Sequence, residues 1–186
     1  MAPRIAEDLG GVEGVDELAG LVELAAPARP IQDVLVDQAR HEGGSDGEVD
    51  PDEQARIDAA EDAVGRIADP GLAPDTGPGE LLGAPGTFWL DLRGYDPVAA
   101  AVDRGLPVLV LLAGRDYGVH EADVEAWRSG AEGAGDVTVE VLPSLDHLLV
   151  PGEGESRFED YAAAGRVSPE LLDRVAVWME DQTANA

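Results

Sequence analysis

The sequence predicts an α/β fold with a parallel sheet, because segments of strand character alternate with segments of helical character. Strand character is found at residues 18–25, 107–112 and 137–141. The second of these segments is continuously apolar, which is typical of a strand that helices cover on both faces. The third alternates between apolar and polar residues, which favours a position near an edge of the sheet. Strands and helices that alternate in this way favour parallel strands with right-handed connections.

Three predicted helix starts support this alternation. Asp50 precedes Pro51 and Glu53, which combines a side-chain cap, a proline at the first helical position and a capping-box acid. A cap residue followed by proline recurs at residues 96–97 and 168–169. The apolar side chains of the last helix are predicted to face inward: Leu171, Leu172, Val175, Trp178 and Met179.

The composition excludes several classes of function. The chain has 186 residues, of which 44% are hydrophobic, and it carries 39 acidic against 12 basic residues, a net charge of −27. The apolar fraction is sufficient for a folded core. A surface of this charge repels phosphate backbones and anionic lipids, so nucleic-acid and membrane partners are not expected. Every basic residue is arginine and the acid is spread over the whole length, which indicates a halophilic protein whose charges are screened by salt.

The residues that are absent narrow the possibilities further. The chain has no cysteine, which excludes a disulfide framework, a thiolate metal site and a cysteine nucleophile. The longest strongly apolar run, residues 107–113, is far short of the roughly 18 residues of a membrane span. The N-terminus shows no signal-peptide pattern. We therefore expect a cytoplasmic protein.

Two candidate catalytic residues follow two of the predicted strands. Asp116 comes directly after the strand at residues 107–112, and His147 follows the strand at residues 137–141. In an open α/β sheet the functional groups lie just past the carboxyl ends of the strands. An Asp followed by a His in this order matches the last two members of a Ser…Asp…His triad. In such a triad the carboxylate holds one imidazole nitrogen, and the other nitrogen takes the proton from the serine.

A structural interpretation accounts for each of these residues separately. An Asp at the end of a strand is commonly a turn or cap residue, so Asp116 could cap the next helix or bind loop amides. A histidine in a loop, such as His147, is commonly structural. Asp146 could serve only the amides of its own loop. The placement of Asp116 and His147 at two strand ends favours the triad over these separate explanations.

A resemblance to a known family is carried by three segments. They are LPVLVLLAGRDYGV, VLPSLDHLLVPGEG and VSPELLDRVAVWM, and together they resemble the C-terminal half of an α/β-hydrolase family of serine esterases, similar to carboxylesterases. The resemblance implies a partial α/β-hydrolase fold, with the last three parallel core strands, flanking helices and a helical cap insert. It also implies that Asp116 is the triad acid and His147 the general base. It implies no metal and no cofactor.

The resemblance extends upstream and divides the chain into three parts. Residues 1–30 resemble the start of the hydrolase core, with a helix over residues 1–9 that follows the nucleophile elbow, and then a strand. Residues 31–106 correspond to the helical cap insert and the return to the core. Residues 107–186 correspond to the C-terminal core that carries the acid and the histidine.

The cap insert contains an apolar group that is a candidate for substrate binding. Phe88, Trp89 and Leu90 would shape an apolar pocket for the acyl or alcohol part of a small-molecule ester. The structural alternative is that Trp89 packs in a core, which is the commoner role of a tryptophan. The sequence leaves the ester and the oligomeric state open.

One element of the family pattern is absent from this sequence. The family nucleophile stands in G-x-S-x-G at a strand–helix turn. These letters occur at residues 43–47, but in a segment predicted to be an exposed loop, so no serine of the chain has the strand–helix context. The serines are Ser45, Ser129, Ser144, Ser156 and Ser168. The oxyanion hole also depends on the residue that follows the nucleophile. We therefore expect a truncated fragment that supplies acid and base without nucleophile or oxyanion hole and is inactive alone.

Two other classes of function compete with the hydrolase fragment. The first is a non-catalytic α/β module that binds a partner through the surface where the missing strands would lie. The second is an unrelated α/β binding domain, which a phosphate-binding glycine loop would indicate. The sequence contains neither G-x-G-x-x-G nor G-x-x-x-x-G-K spacing.

Overall fold

The computed structural model of the chain divides into two compact units. Unit 1 comprises Met1–Arg29 and Asp96–Ala186, and unit 2 comprises Pro30–Tyr95. The structure describes residues 3–5, 18–163 and 165–184. No helix in these ranges has both the length and the apolar character that a bilayer span requires.

Helices belong to both units. Within the described ranges they are, in chain order, α1 (Ile31–Gly43), α2 (Pro51–Ala68), α3 (Gly86–Leu92), α4 (Pro97–Val102), α5 (Glu121–Ala131), α6 (Phe158–Ala162) and α7 (Pro169–Ala184). Residues 3–5 are also helical, and a 3₁₀ turn covers Pro78–Glu80. The rest of the helix predicted for residues 1–9 lies outside the described residues.

Unit 1 is built on a three-stranded parallel sheet. Its strands are β1 (Leu21–Leu24), β2 (Val108–Ala113) and β3 (Val137–Leu142), and β2 lies in the centre. All six residues of β2 are buried, whereas β3 is half-buried along most of its length. The predicted α/β fold is therefore confirmed, and so is the contrast between a covered central strand and an edge strand.

Helices cover both faces of this sheet. Successive side chains of β2 point to opposite faces, so each helix layer packs against alternate residues of the strand. On one face Trp127 of α5 is completely buried, and its indole N–H donates to the carbonyl of Ala26 at 2.9 Å. On the other face Leu171 of α7 belongs to a buried cluster with Leu109 and Leu111. Because helices cover both faces of the sheet, every residue of β2 is buried, which explains why its sequence is an uninterrupted apolar run.

The inward face of α7 is narrower than predicted. Leu171 is buried and Trp178 packs against the same cluster, but Leu172 is 56% exposed and Met179 is 53% exposed. Each residue of an α-helix is rotated by about 100° from the one before. Leu172 therefore lies about a quarter turn away from Leu171, on the solvent side. The prediction that Leu172 and Met179 face inward is wrong.

Unit 2 is helical. Its helix α2 begins as predicted, since the Asp50 carboxylate accepts from the backbone N–H of Asp52 and Glu53 at 2.8 Å each. The Glu53 carboxylate accepts from the Asp50 N–H at 2.8 Å, which completes the capping box. A buried cluster around Ile67, Leu81 and Trp89 forms the core of the unit.

Candidate active site

Asp116 lies on the loop that follows the central strand β2. Its side chain is only 1% exposed. One carboxylate oxygen, Oδ1, accepts from the backbone N–H of Gly118 at 2.9 Å and of Val119 at 3.0 Å. The other oxygen, Oδ2, lies 2.7 Å from Nδ1 of His147. Asp116 therefore binds loop amides through one oxygen and contacts His147 through the other, and its role in a triad stays a prediction.

His147 lies on the loop that follows β3. Because β2 and β3 are adjacent and parallel, their following loops lie at the same edge of the sheet, which brings the two side chains together. An ionised carboxylate only accepts hydrogen bonds, so Nδ1 of His147 carries the proton that Asp116 binds. In the neutral ring this leaves the lone pair on Nε2, which has no hydrogen-bond partner among the described residues. The ring is partly open to solvent, with 41% of the side chain exposed.

The electrostatics of the pair favour a protonated imidazole. The hydrogen bond with Asp116 raises the pKa of His147 above 6.5, while partial burial of the ring opposes this. The negative charges of Asp116 and Asp146 also raise this pKa. An imidazolium at this position is therefore stabilised by the protein.

We expect Asp116→Asn to lower the pKa of His147 toward 6.5, because the substitution removes both the charge-assisted hydrogen bond and the negative charge. A pH titration of the His147 ring signals by NMR measures the change, with the exposed Asp103→Asn as matched control. The folded pKa lies above the unfolded value, so the pair stabilises the fold fully below pH 6.5, and this stabilisation is lost as the pH rises through the folded pKa. Equal titration of His147 in both variants would contradict the assignment.

Hydrogen bonds between the two sides of the loop that carries His147 hold this loop together. The Asp146 carboxylate accepts from the Val150 N–H at 3.0 Å, and the Asp146 N–H donates to the Val150 carbonyl at 3.1 Å. Leu145 and Pro151 form an antiparallel bridge across the base of the loop. Asp146 thus serves the amides of its own loop, as the structural interpretation proposed.

Two tyrosines lie near His147, and the sequence did not predict this position for either of them. The rings of Tyr117 and Tyr161 stack with centroids 5.7 Å apart, and the Tyr161 ring lies 6.5 Å from that of His147. Burial raises the pKa of Tyr161, so its phenol is neutral at pH 7. Tyr161 belongs to α6, which at five residues is too short to show helical periodicity in the sequence.

The apolar residues predicted to bind substrate lie in unit 2. Phe88 is 42% exposed and its ring packs edge-on against Trp89, with centroids 5.0 Å apart. Trp89 is buried, and its indole N–H donates to the carbonyls of Leu81 at 2.7 Å and Ala84 at 3.1 Å. The structure therefore supports Trp89 as a core residue. Substrate binding by Phe88 and the half-buried Leu90 stays a prediction.

All five serines of the chain lie among the described residues, and Ser45, in the turn after α1, is exposed. The buried Ser156 donates its hydroxyl hydrogen bond to the Arg115 carbonyl, and the Ser129 hydroxyl lies 3.3 Å from the Glu125 carboxylate. Ser144 is exposed and Ser168 is buried. Across the described ranges, no serine hydroxyl forms a hydrogen bond with His147.

An α/β sheet with a buried carboxylate and a histidine at its carboxyl edge is an arrangement suited to hydrolysis. The chain is similar to Esterase EstD of Thermotoga maritima, with 32% identity over 160 residues. The similarity covers 86% of this chain but only 37% of that protein, so the match is a partial, esterase-like one. No protein-family model and no solved structure matches the chain.

Proposed function

We propose that this chain supplies the acid and the base of a serine α/β-hydrolase that acts on ester bonds of small molecules. The observation that carries the proposal is the 2.7 Å contact between Asp116 Oδ2 and His147 Nδ1, formed at the carboxyl edge of adjacent parallel strands. The similarity to a protein named an esterase supports ester bonds as the target. Since no serine in the part of the chain that the structure describes forms a hydrogen bond with Nε2 of His147, we infer that the nucleophile and the oxyanion hole belong to residues outside this sequence.

The proposed reaction uses His147 first as a base and then as an acid. The serine hydroxyl attacks the ester carbonyl while Nε2 of His147 takes its proton. The Asp116 carboxylate stabilises the imidazolium through Nδ1–H, which is the effect that raises the pKa of His147. The imidazolium then gives its proton to the departing alkoxide. Water attacks the acyl-serine in the same way, which releases the carboxylic acid and restores the serine.

The proposal predicts where the nucleophile is encoded. In the reading frame upstream of Met1 we expect an apolar strand that ends in G-x-S-x-G within roughly ten codons, because the elbow joins its strand to the next helix without a loop. The product of this longer frame, the extended protein, should react with a fluorophosphonate at that serine. Mass spectrometry locates the labelled residue.

The 186-residue chain alone provides the control. It should take up no fluorophosphonate and should not hydrolyse p-nitrophenyl butyrate, and Ser144→Ala should change neither result. Labelling of Ser144 in the short chain would overturn the assignment of the nucleophile to another segment. An extended protein that resists labelling would favour the alternative of a non-catalytic module that binds a partner.

A further inference from the structure

Arg115, the residue before Asp116, is bound to the loop that carries His147 at three points. Its backbone N–H donates to the Leu145 carbonyl at 2.9 Å, and its backbone carbonyl accepts from the Ser156 hydroxyl. Its side-chain Nε donates to the Gly154 carbonyl at 2.7 Å. Leu145 precedes His147 and Gly154 follows it, so Arg115 contacts the loop on both sides of the histidine.

The guanidinium of Arg115 occupies space that a side chain at position 152 would need. A Cβ atom built on Gly152 would lie 2.1 Å from Nη1 and 2.5 Å from Cζ of Arg115. Gly152 does not have the positive φ that favours glycine, so the backbone at this position accepts other residues. The Arg115 side chain is 10% exposed, and Asp160 lies 3.9 Å from Nη2. A side chain at position 152 would therefore displace the guanidinium, the far end of a flexible side chain, from its place beside Gly154.

We propose that Arg115 is a positioning residue for His147. The guanidinium packs against Gly152 and donates to the Gly154 carbonyl. These contacts fix the part of the loop that follows His147, and so fix the position from which the imidazole contacts Asp116. The neighbouring residues 115 and 116 therefore act together, because Asp116 binds the ring and Arg115 binds the loop that carries it. The role rests on the proposed function of the Asp116–His147 pair.

The sign of the change in the pKa of His147 separates positioning from simple charge effects. Removal of a nearby cation favours the protonated imidazole and so raises the pKa of His147. Loss of the hydrogen bond from His147 to Asp116 has the opposite effect, because that bond is the main cause of the raised pKa. The two explanations of Arg115 thus predict shifts in opposite directions.

The first test titrates His147 by NMR in Arg115→Met and Arg115→Lys variants of the 186-residue chain in molar KCl. We expect both variants to lower the pKa of His147 toward 6.5. Neither side chain has the planar guanidinium that packs against Gly152 and donates to the Gly154 carbonyl at the same time. Arg174→Met removes an ion pair on α7, where Nη1 lies 3.2 Å from Glu140, and should leave the titration unchanged. A raised or unchanged pKa of His147 in Arg115→Met overturns the proposal.

The second test is a double-mutant cycle of Gly152→Ala and Arg115→Met, and its Gly152→Ala arm remains informative if Arg115→Met folds poorly. Gly152→Ala should lower the melting temperature by roughly 2–4 °C, a small overpacking effect for a chain of this size, because the added methyl displaces the guanidinium, and it should lower the pKa of His147. Gly135→Ala is the matched control, because a Cβ there meets nothing within 4 Å. In the Arg115→Met background, Gly152→Ala should cost less than about half as much, since the clash is gone. Additive losses overturn the proposal.

These readouts are independent of ester hydrolysis. They are measured on His147 in a chain that needs no nucleophile, so an inactive extended protein would refute the proposed function while leaving the Arg115 result intact. An active extended protein in which the Arg115 variants keep the pKa of His147 unchanged would refute only the positioning role.

Discussion

Replacing His147 by alanine in the extended protein is expected to lower kcat for p-nitrophenyl butyrate by about ten-thousand-fold, because His147 is the proposed acceptor of the serine proton. Asp116→Asn should lower kcat by about a thousand- to ten-thousand-fold, since the amide keeps the shape of the carboxylate but no longer holds the Nδ1–H tautomer. KM should change little in both variants, because neither side chain is proposed to bind the ground-state ester. Steady-state kinetics on the purified variants measure both constants.

The pH profile of the extended protein provides a second readout of the same pair. The base form of His147 is required for attack, so kcat/KM should rise as the pH passes through the pKa of His147, above 6.5. Ser144→Ala and Asp103→Asn are the matched controls and should retain wild-type rates. A His147→Ala protein that keeps more than about a tenth of the wild-type kcat would show that the base lies elsewhere.

The location of the candidate pair was predictable from local sequence patterns. The continuous apolar run of β2 and the alternating run of β3 indicate strands, and the carboxyl-end rule places Asp116 and His147 at one edge of the sheet. The cap-proline pairs at residues 50–51 and 96–97 likewise mark helix starts, because the interactions that satisfy the first N–H groups are local. Patterns of this kind depend only on neighbours in the chain.

The residues that hold the pair in place were not predictable, because their partners are distant in sequence. Arg115 and Gly154 are 39 positions apart, and the contact that an added Cβ at Gly152 would make with the guanidinium exists only in the folded chain. Asp123 lies in an unremarkable acidic helix start, yet it binds Arg29 at a separation of 94 residues. In a chain with 39 acidic residues, composition alone does not distinguish a buried carboxylate such as that of Asp123 from the many solvated ones.

The buried carboxylate of Asp123 joins the turn after β1 to the start of α5. Its side chain is fully buried, and it accepts from the backbone N–H of Ala28 at 2.9 Å, of Arg29 at 3.1 Å and of His120 at 3.2 Å. The Arg29 guanidinium adds bonds of 3.1 Å from Nε and 2.9 Å from Nη2. Nη2 also donates to the carbonyl of Gly118, whose N–H binds Asp116. Asp123 therefore supports the loop that holds the candidate acid.

Asp123→Ala is expected to lower the free energy of unfolding by about 3–5 kcal/mol, because it removes the buried carboxylate that the Arg29 guanidinium and three backbone N–H groups bind. Urea unfolding in molar KCl measures the change. Glu61→Ala is the matched control, since Glu61 pairs with Arg40 at 2.7 Å where both side chains are about half exposed, and it should cost less than about 1 kcal/mol. The double variant Asp123→Ala with Arg29→Met should be more stable than Asp123→Ala alone, because the cation is removed together with the carboxylate that balances its charge. If Asp123→Ala lowers the free energy of unfolding by less than about 1 kcal/mol, the carboxylate does not stabilise this turn. The loop of Asp116 would then be stabilised by its own backbone N–H groups alone.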